Sequence, residues 1–194
     1  PTELAPEESQ RPPEGKDVVD LSKSRPKGKF DPSEGDYKAV GKSGNGRITK
    51  GIVEAASALD MDPELLATII SYETAGTFNP TKKGPTTKWG QHKGFIQFGE
   101  TQAREYGVDF SNTDTAIDSQ LGSDGAIVKY FLNRGWQPGM SDVDAYSIVN
   151  AGSPGLGHLT DENAGGAKGT VSNKVYNQFA PHRRKAKALI ETWS

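Results

Sequence analysis

This sequence predicts a mainly α domain with long loops and at most a small β element. Three observations carry that reading. Apolar residues recur at helical spacing in several segments beyond residue 46. Start and stop residues of the helical kind bracket those segments. Polar stretches rich in Gly and Pro separate them, in a chain of 194 residues with 23 glycines, 12 prolines and 33% hydrophobic residues.

Residues 1–45 stand apart. They are rich in Pro, Glu, Lys, Asp and Ser and lack a periodic apolar pattern, which reads as a flexible or loosely attached arm before a domain over 46–194. Val18, Val19, Leu21 and Phe30 are the residues through which such an arm would dock.

The elements follow in order. ITKGIVEAASALD (48–60) aligns Ile48, Ile52, Ala55 and Leu59 near one face, with Gly51 as a weakness. Asp62 before Pro63 is an N-cap followed by a first-turn proline, opening a helix to about residue 74 with Gly76 as its stop. Residues 76–93 read as a long loop or a short irregular hairpin, and GFIQF (94–98) as a short apolar run. TQAREYG begins a helix near Thr101. The segment 113–133 is helical, with Gly122–Gly125 dividing it, and 142–152 is a helix ended by glycine. Residues 153–169 form a Gly-rich loop, and the last segment gives one or two helices interrupted at Pro181.

Composition removes several function classes. The net charge is −2 and no long Lys/Arg block stands out, so nucleic acid is not the expected partner. HRRKAK (182–187) reads as a solvated helix face without interleaved aromatics. There are no cysteines, hence no disulfides or thiolate metal sites. His92, His158 and His182 lack ligand spacing, so neither metal nor cofactor is expected. No apolar run is long enough to span a membrane. The chain opens at Pro1 without a signal-type segment, which reads as a processed or trimmed product.

Glu73 is the leading catalytic candidate. It lies one helical turn beyond Ile69, close to Leu66 and Ile70, where a buried stripe meets a loop. Such a carboxyl loses hydration, holds its proton to higher pH and suits general acid catalysis. A Glu simply facing water at a helix end is the plain alternative.

The surrounding residues resemble an ordered set of motifs. Glu73 with Thr74, Phe78 and Pro80 comes first, then Gly94 and Gln97, then Asn150, Ala151 and Gly152. This is similar to the soluble lytic transglycosylases and goose-type lysozymes over residues 48–190. The resemblance implies a lysozyme-like fold, with Glu73 as catalytic acid and Gln97 and Asn150 lining the cleft. Thr74 and Phe95 belong to the matched motifs and are expected near substrate. The family's Gly-Leu-Met-Gln is Gly94-Phe95-Ile96-Gln97 here, an apolar swap that preserves a core role. Its tyrosine before Asn-Ala-Gly is Val149 here, and Tyr146, one turn before Asn150, is the available substitute.

The implied activity is cleavage of the β-1,4 bond between N-acetylmuramic acid and N-acetylglucosamine in peptidoglycan. In the transglycosylase route one Glu acts as acid and then base, leaving 1,6-anhydromuramoyl ends. A hydrolytic muramidase commonly adds a second carboxylate. Glu100, Glu105, Asp109, Asp114, Asp118, Asp142 and Asp144 are the available acids, none in a distinctive setting, and this favours the single-acid route. A glycan-binding module that does not cut and a chitinase are the other readings. Trp89 is placed to stack on a sugar ring, or else to pack; Trp136 and Trp193 read as packing residues, and His92 as a surface residue. The implied setting is the bacterial periplasm or envelope, or a phage virion, within a larger envelope or virion assembly.

Overall fold

The computed structural model describes residues 45–193. The expectations for the arm lie outside the described residues, except that Asn45 already opens the first helix. Among the described residues the chain is mainly helical, with one two-stranded antiparallel sheet. Its helices are α1 (Asn45–Ala58), α2 (Pro63–Glu73), α3 (Glu100–Glu105), α4 (Thr113–Gln120), α5 (Ala126–Asn133), α6 (Asp142–Ala151), α7 (Val171–Asn177) and α8 (Ala180–Glu191). Strands β1 (Lys83–Thr87) and β2 (Gly90–Lys93) form the hairpin. None of the described helices is long and apolar enough to cross a membrane.

Local chemistry sets the helix ends. Asp62 accepts from the Glu64 N–H at 2.9 Å, and Asn112 from the Thr115 N–H at 2.9 Å. Ser141 with Asp144, and Thr170 with Asn173, form capping boxes at the starts of α6 and α7. Gly152, at φ 83°, ends α6 in the left-handed conformation. The 113–133 segment is two helices, divided at the glycines as expected. Pro181 sits in the first turn of α8, where its missing N–H costs no helical bond.

Helix α2 is the centre of the fold. Leu65, Leu66, Ile69 and Ile70 are buried on it, and it packs chiefly against α8 and then α1. The core continues through Phe78, Phe95, Phe98, Phe131, Tyr146 and Phe179, all under 2% exposed. Trp136 packs as expected and donates to the Leu59 carbonyl at 2.9 Å. Trp193 does not, being 48% exposed beyond the end of α8.

Gly51, a weakness by helix propensity alone, has a packing reason. A Cβ there would lie 2.7 Å from the Leu121 Cβ, and the Gly51 carbonyl accepts the Gly122 N–H at 3.0 Å. The helix trades intrinsic propensity for close approach of the α4–α5 junction.

Candidate active site

Glu73 is the last residue of α2, and the turn behind it fixes where it points. The Gly76 N–H bonds to the Ser71 carbonyl at 2.6 Å and the Ala75 N–H to the Tyr72 carbonyl at 3.2 Å. These are the two bonds of a Schellman motif. The helix ends about where the sequence suggests, and both Ala75, at φ 53°, and Gly76, at φ 80°, are left-handed in the stop. Phe78 is left-handed too, at φ 50°. Such backbone costs about 1 kcal/mol per non-glycine residue, and surrounding contacts must hold it. Thr74 supplies some of them. Its hydroxyl donates to the Ile70 carbonyl at 2.7 Å and accepts the Phe78 N–H at 2.9 Å.

Glu73 is half-buried, and its carboxyl receives a hydrogen bond from the Tyr146 hydroxyl, 2.8 Å from Oε1. Its pKa is pushed up to about 7. Burial is the largest cause; the Tyr146 bond opposes it by favouring the anion, Asp161 adds to the rise and Lys174 opposes it. Tyr72, Tyr130 and Tyr146 are raised as well, mainly by burial and partly by the Glu73 charge. The acid therefore sits in an apolar, aromatic wall. Tyr72 packs edge-on to Tyr146, with ring centroids 5.4 Å apart, and Phe179 contacts both rings.

This proton also couples stability to pH. The folded pKa of Glu73 exceeds the ordinary 4.5, so the native state holds the proton more tightly than the unfolded chain does. Its contribution is complete below about pH 4.5 and is lost as pH rises through 7. Glu73→Gln is therefore expected to stabilise the protein at pH 8 by about 2 kcal/mol, the full linkage value being reduced for partial exposure. Denaturant titrations at pH 8 and pH 4 test this; equal differences from wild type at both pH values would contradict it.

Asn150 joins the same network. Its Nδ2 lies 3.5 Å from the Tyr146 hydroxyl and donates to Asp161 Oδ2 at 2.7 Å. Asp161 Oδ1 receives the Nζ of Lys174, a lysine only 1% exposed. The structure thus brings together Glu73, Tyr146 and Asn150 as the sequence suggests, with Tyr146 reaching the acid from within the core. At 1% exposure Tyr146 holds the acid and offers no surface to a sugar. Sequence reasoning does not find Asp161 or Lys174. Asp161 sits in the Gly-rich 153–169 loop and Lys174 in the last helical segment, and neither carries a local signal.

The remaining candidates are placed elsewhere. Thr74 and Phe95 are fully buried, so the expectation that they touch substrate is corrected: Thr74 ties the turn behind Glu73, and Phe95 packs in the core. Gln97, at φ 60°, turns its Nε2 to the carbonyls of Gly94 (2.9 Å) and Lys82 (3.0 Å). Its amide is thus bonded to the hairpin and its base, and has no hydrogen bond to Glu73. Gln97 Oε1 lies against Gly84, where a Cβ would come within 1.8 Å. Trp89 occupies the hairpin turn, partly exposed, with Lys88 Nζ 4.7 Å from its ring centroid. His92 is held between the Thr87 hydroxyl (2.9 Å) and the Gln97 carbonyl (2.8 Å) and so braces the hairpin.

Gln120 is another residue that the sequence does not single out. It is fully buried, accepts the Phe95 N–H at 2.8 Å, and donates to the carbonyls of Pro80 and Ala116, each at 2.8 Å. One amide thereby joins the turn after Glu73, the GFIQF segment and α4.

The other acids stay outside the Glu73 network. Glu100, Glu105, Asp109, Asp114 and Asp118 are exposed. Asp142 pairs with Arg183 at 2.8 Å, and Asp144 caps α6 while accepting the Gly155 N–H at 2.9 Å. An open pocket bordered by Glu54, Tyr106, Asp118, Asp124 and Lys129 shares no residue with the network. Among the described residues no three His, Asp or Glu side chains are grouped as metal ligands. Comparison with protein-family models, with curated proteins and with solved structures finds no match for this chain.

Proposed function

We propose that this chain is a peptidoglycan-cleaving glycosidase of the lytic transglycosylase type, with Glu73 as its general acid and base. One observation carries the reading. Glu73 is a half-buried residue whose carboxyl is pushed up to a pKa of about 7 by burial and is held on one oxygen by the buried Tyr146 phenol. That leaves Oε2 to carry the proton, and near neutral pH a large fraction of the molecules have it.

In this reading Glu73 gives its proton to the glycosidic oxygen as the bond from that oxygen to C1 of N-acetylmuramic acid breaks. The N-acetyl carbonyl oxygen of the same sugar assists at C1. The Glu73 carboxylate then takes the proton of the 6-hydroxyl as O6 closes onto C1, which restores the acid and gives a 1,6-anhydro end. The order of motifs around Glu73, Gln97 and Asn150 supports the substrate class. In the single-acid route Asp161, whose oxygens take Lys174 and Asn150, is neither nucleophile nor base. The proposed setting is the bacterial envelope, or a phage particle that breaches it.

Digestion of purified sacculi with separation of the released muropeptides tests the proposal. Products ending in 1,6-anhydromuramic acid are expected. Free reducing ends would make the protein a hydrolytic muramidase. Binding without release would make it a glycan-binding module, and faster release from chitin would make it a chitinase.

A further inference from the structure

Lys174 is a lysine inside a protein core, and the proposed chemistry has not used it. It lies on α7, 1% exposed, with its Nζ on Asp161 Oδ1. A lysine buried to this depth needs a fixed counter-charge. Asp161 supplies it, and Asp161 is itself fixed. The Ala164 and Gly166 N–H groups bond to its carbonyl, at 2.8 and 3.0 Å. Its second oxygen takes the Asn150 Nδ2. The pair therefore ends a continuous path: Lys174 to Asp161, Asp161 to Asn150, Asn150 to the Tyr146 hydroxyl, and Tyr146 to Glu73.

We propose that Asp161 and Lys174 form a positioning pair for the acid, locking the Asn150 amide against the Tyr146 phenol that holds Glu73 and setting a compensated charge pair in the surroundings of its carboxyl. This rests on Glu73 being the acid of the proposed function. Asp161 and Lys174 act through other residues. With Nδ2 committed to Asp161, Asn150 is left with its carbonyl oxygen as the free acceptor, one that can receive an N–H or O–H from a sugar. The charges act on Glu73 in opposite senses: the carboxylate of Asp161 favours its protonated form and the ammonium of Lys174 its anion.

Other charged and titratable groups lie on the elements packed around the site. On α8, Arg183 is paired with Asp142 and His182 is uncharged at neutral pH, its pKa lowered to about 4 mainly by burial. Lys185, also on α8, lies beside Gly76. On α1, Arg47 pairs with Asp114 and Asp118, and Lys50 with Glu54. The nearby groups on α2, α5 and α6 are the phenols of Tyr72, Tyr130 and Tyr146.

The test is a titration of the Glu73 side-chain carboxyl by carbon-13 NMR in the full chain, compared among wild type, Asp161→Asn, Lys174→Met and Gly166→Ala. Gly166→Ala perturbs the pair without deleting a charge. A Cβ at 166 would fall 2.0 Å from Asp161 Oδ1, so the Asp161 carboxylate must shift away from its place between Lys174 and Asn150. The Glu73 midpoint is expected to move to lower pH in Asp161→Asn and Gly166→Ala, and to higher pH in Lys174→Met. The alkaline limb of glycan release should move with it. An unchanged midpoint in folded Gly166→Ala and Asp161→Asn, with only melting temperature altered, would reduce the pair to a structural tie and overturn the proposal. Should Lys174→Met fail to fold, the other two variants still decide it. The NMR midpoint is read without activity. An inactive wild-type protein would therefore sink the functional reading, while the midpoint shifts would still decide whether the pair acts on Glu73.

Discussion

Glu73→Gln is expected to reduce glycan release from purified sacculi by about 10²- to 10⁴-fold, with the fold intact. The substitution keeps the size of the side chain, and the amide oxygen can still accept the 2.8 Å bond from Tyr146. What it removes is the proton carried on Oε2. A leaving sugar oxygen without that proton departs as an alkoxide, which is the step the acid exists to avoid. The comparison is clean because the same variant should be more stable than wild type at pH 8, so lost activity cannot be traced to unfolding. Circular dichroism and release of dyed fragments, measured on one preparation, check both halves. Activity within tenfold of wild type would remove Glu73 from the mechanism.

The largest stability effect is expected at Gln120. Gln120→Ala should destabilise the protein by about 3 kcal/mol, or roughly 10 °C in melting temperature for a domain of this size. The reason is what the truncation leaves behind. The Phe95 N–H and the Pro80 and Ala116 carbonyls lose their partner. Phe95 itself is fully buried, and solvent reaches its backbone only by opening the turn. Gly94, at φ 96°, shares the effect, since a Cβ there would fall 2.3 Å from Gln120 Oε1. Thermal unfolding of Gln120→Ala tests this; a shift of under about 2 °C would mean that water replaces the amide without cost.

Local chemistry explains what is legible in the sequence. Asp62, Pro63, Ser141 and Gly152 announce helix ends because a cap is a contact between residues a few positions apart. Tyr146 and Asn150 share a face because helical spacing puts them one turn apart, and both meet the Glu73 network. Sequence reasoning misplaces Phe95 and Thr74 because motif membership says that a residue matters without saying which way it faces; both are buried. Gln97 is expected beside the acid, yet its left-handed backbone turns the amide to the Lys82 and Gly94 carbonyls. Asp161, Lys174 and Gln120 are illegible for another reason. Each is an ordinary polar residue in an ordinary polar stretch, and only tertiary contacts across the chain bury or engage it. Gly51 belongs with them, since its value is the approach of Leu121.

The central claim is that Glu73 carries its proton near neutral pH and delivers it to a glycan. The most direct test is the pH dependence of kcat/KM for glycan release by the wild-type protein. The acid must be protonated in the free enzyme, so the rate constant should fall above a midpoint near pH 7, by about tenfold per unit at higher pH. A profile that stays level to pH 9 would contradict the account, because a Glu73 with a midpoint near 7 has lost its proton there and some other group would be the acid.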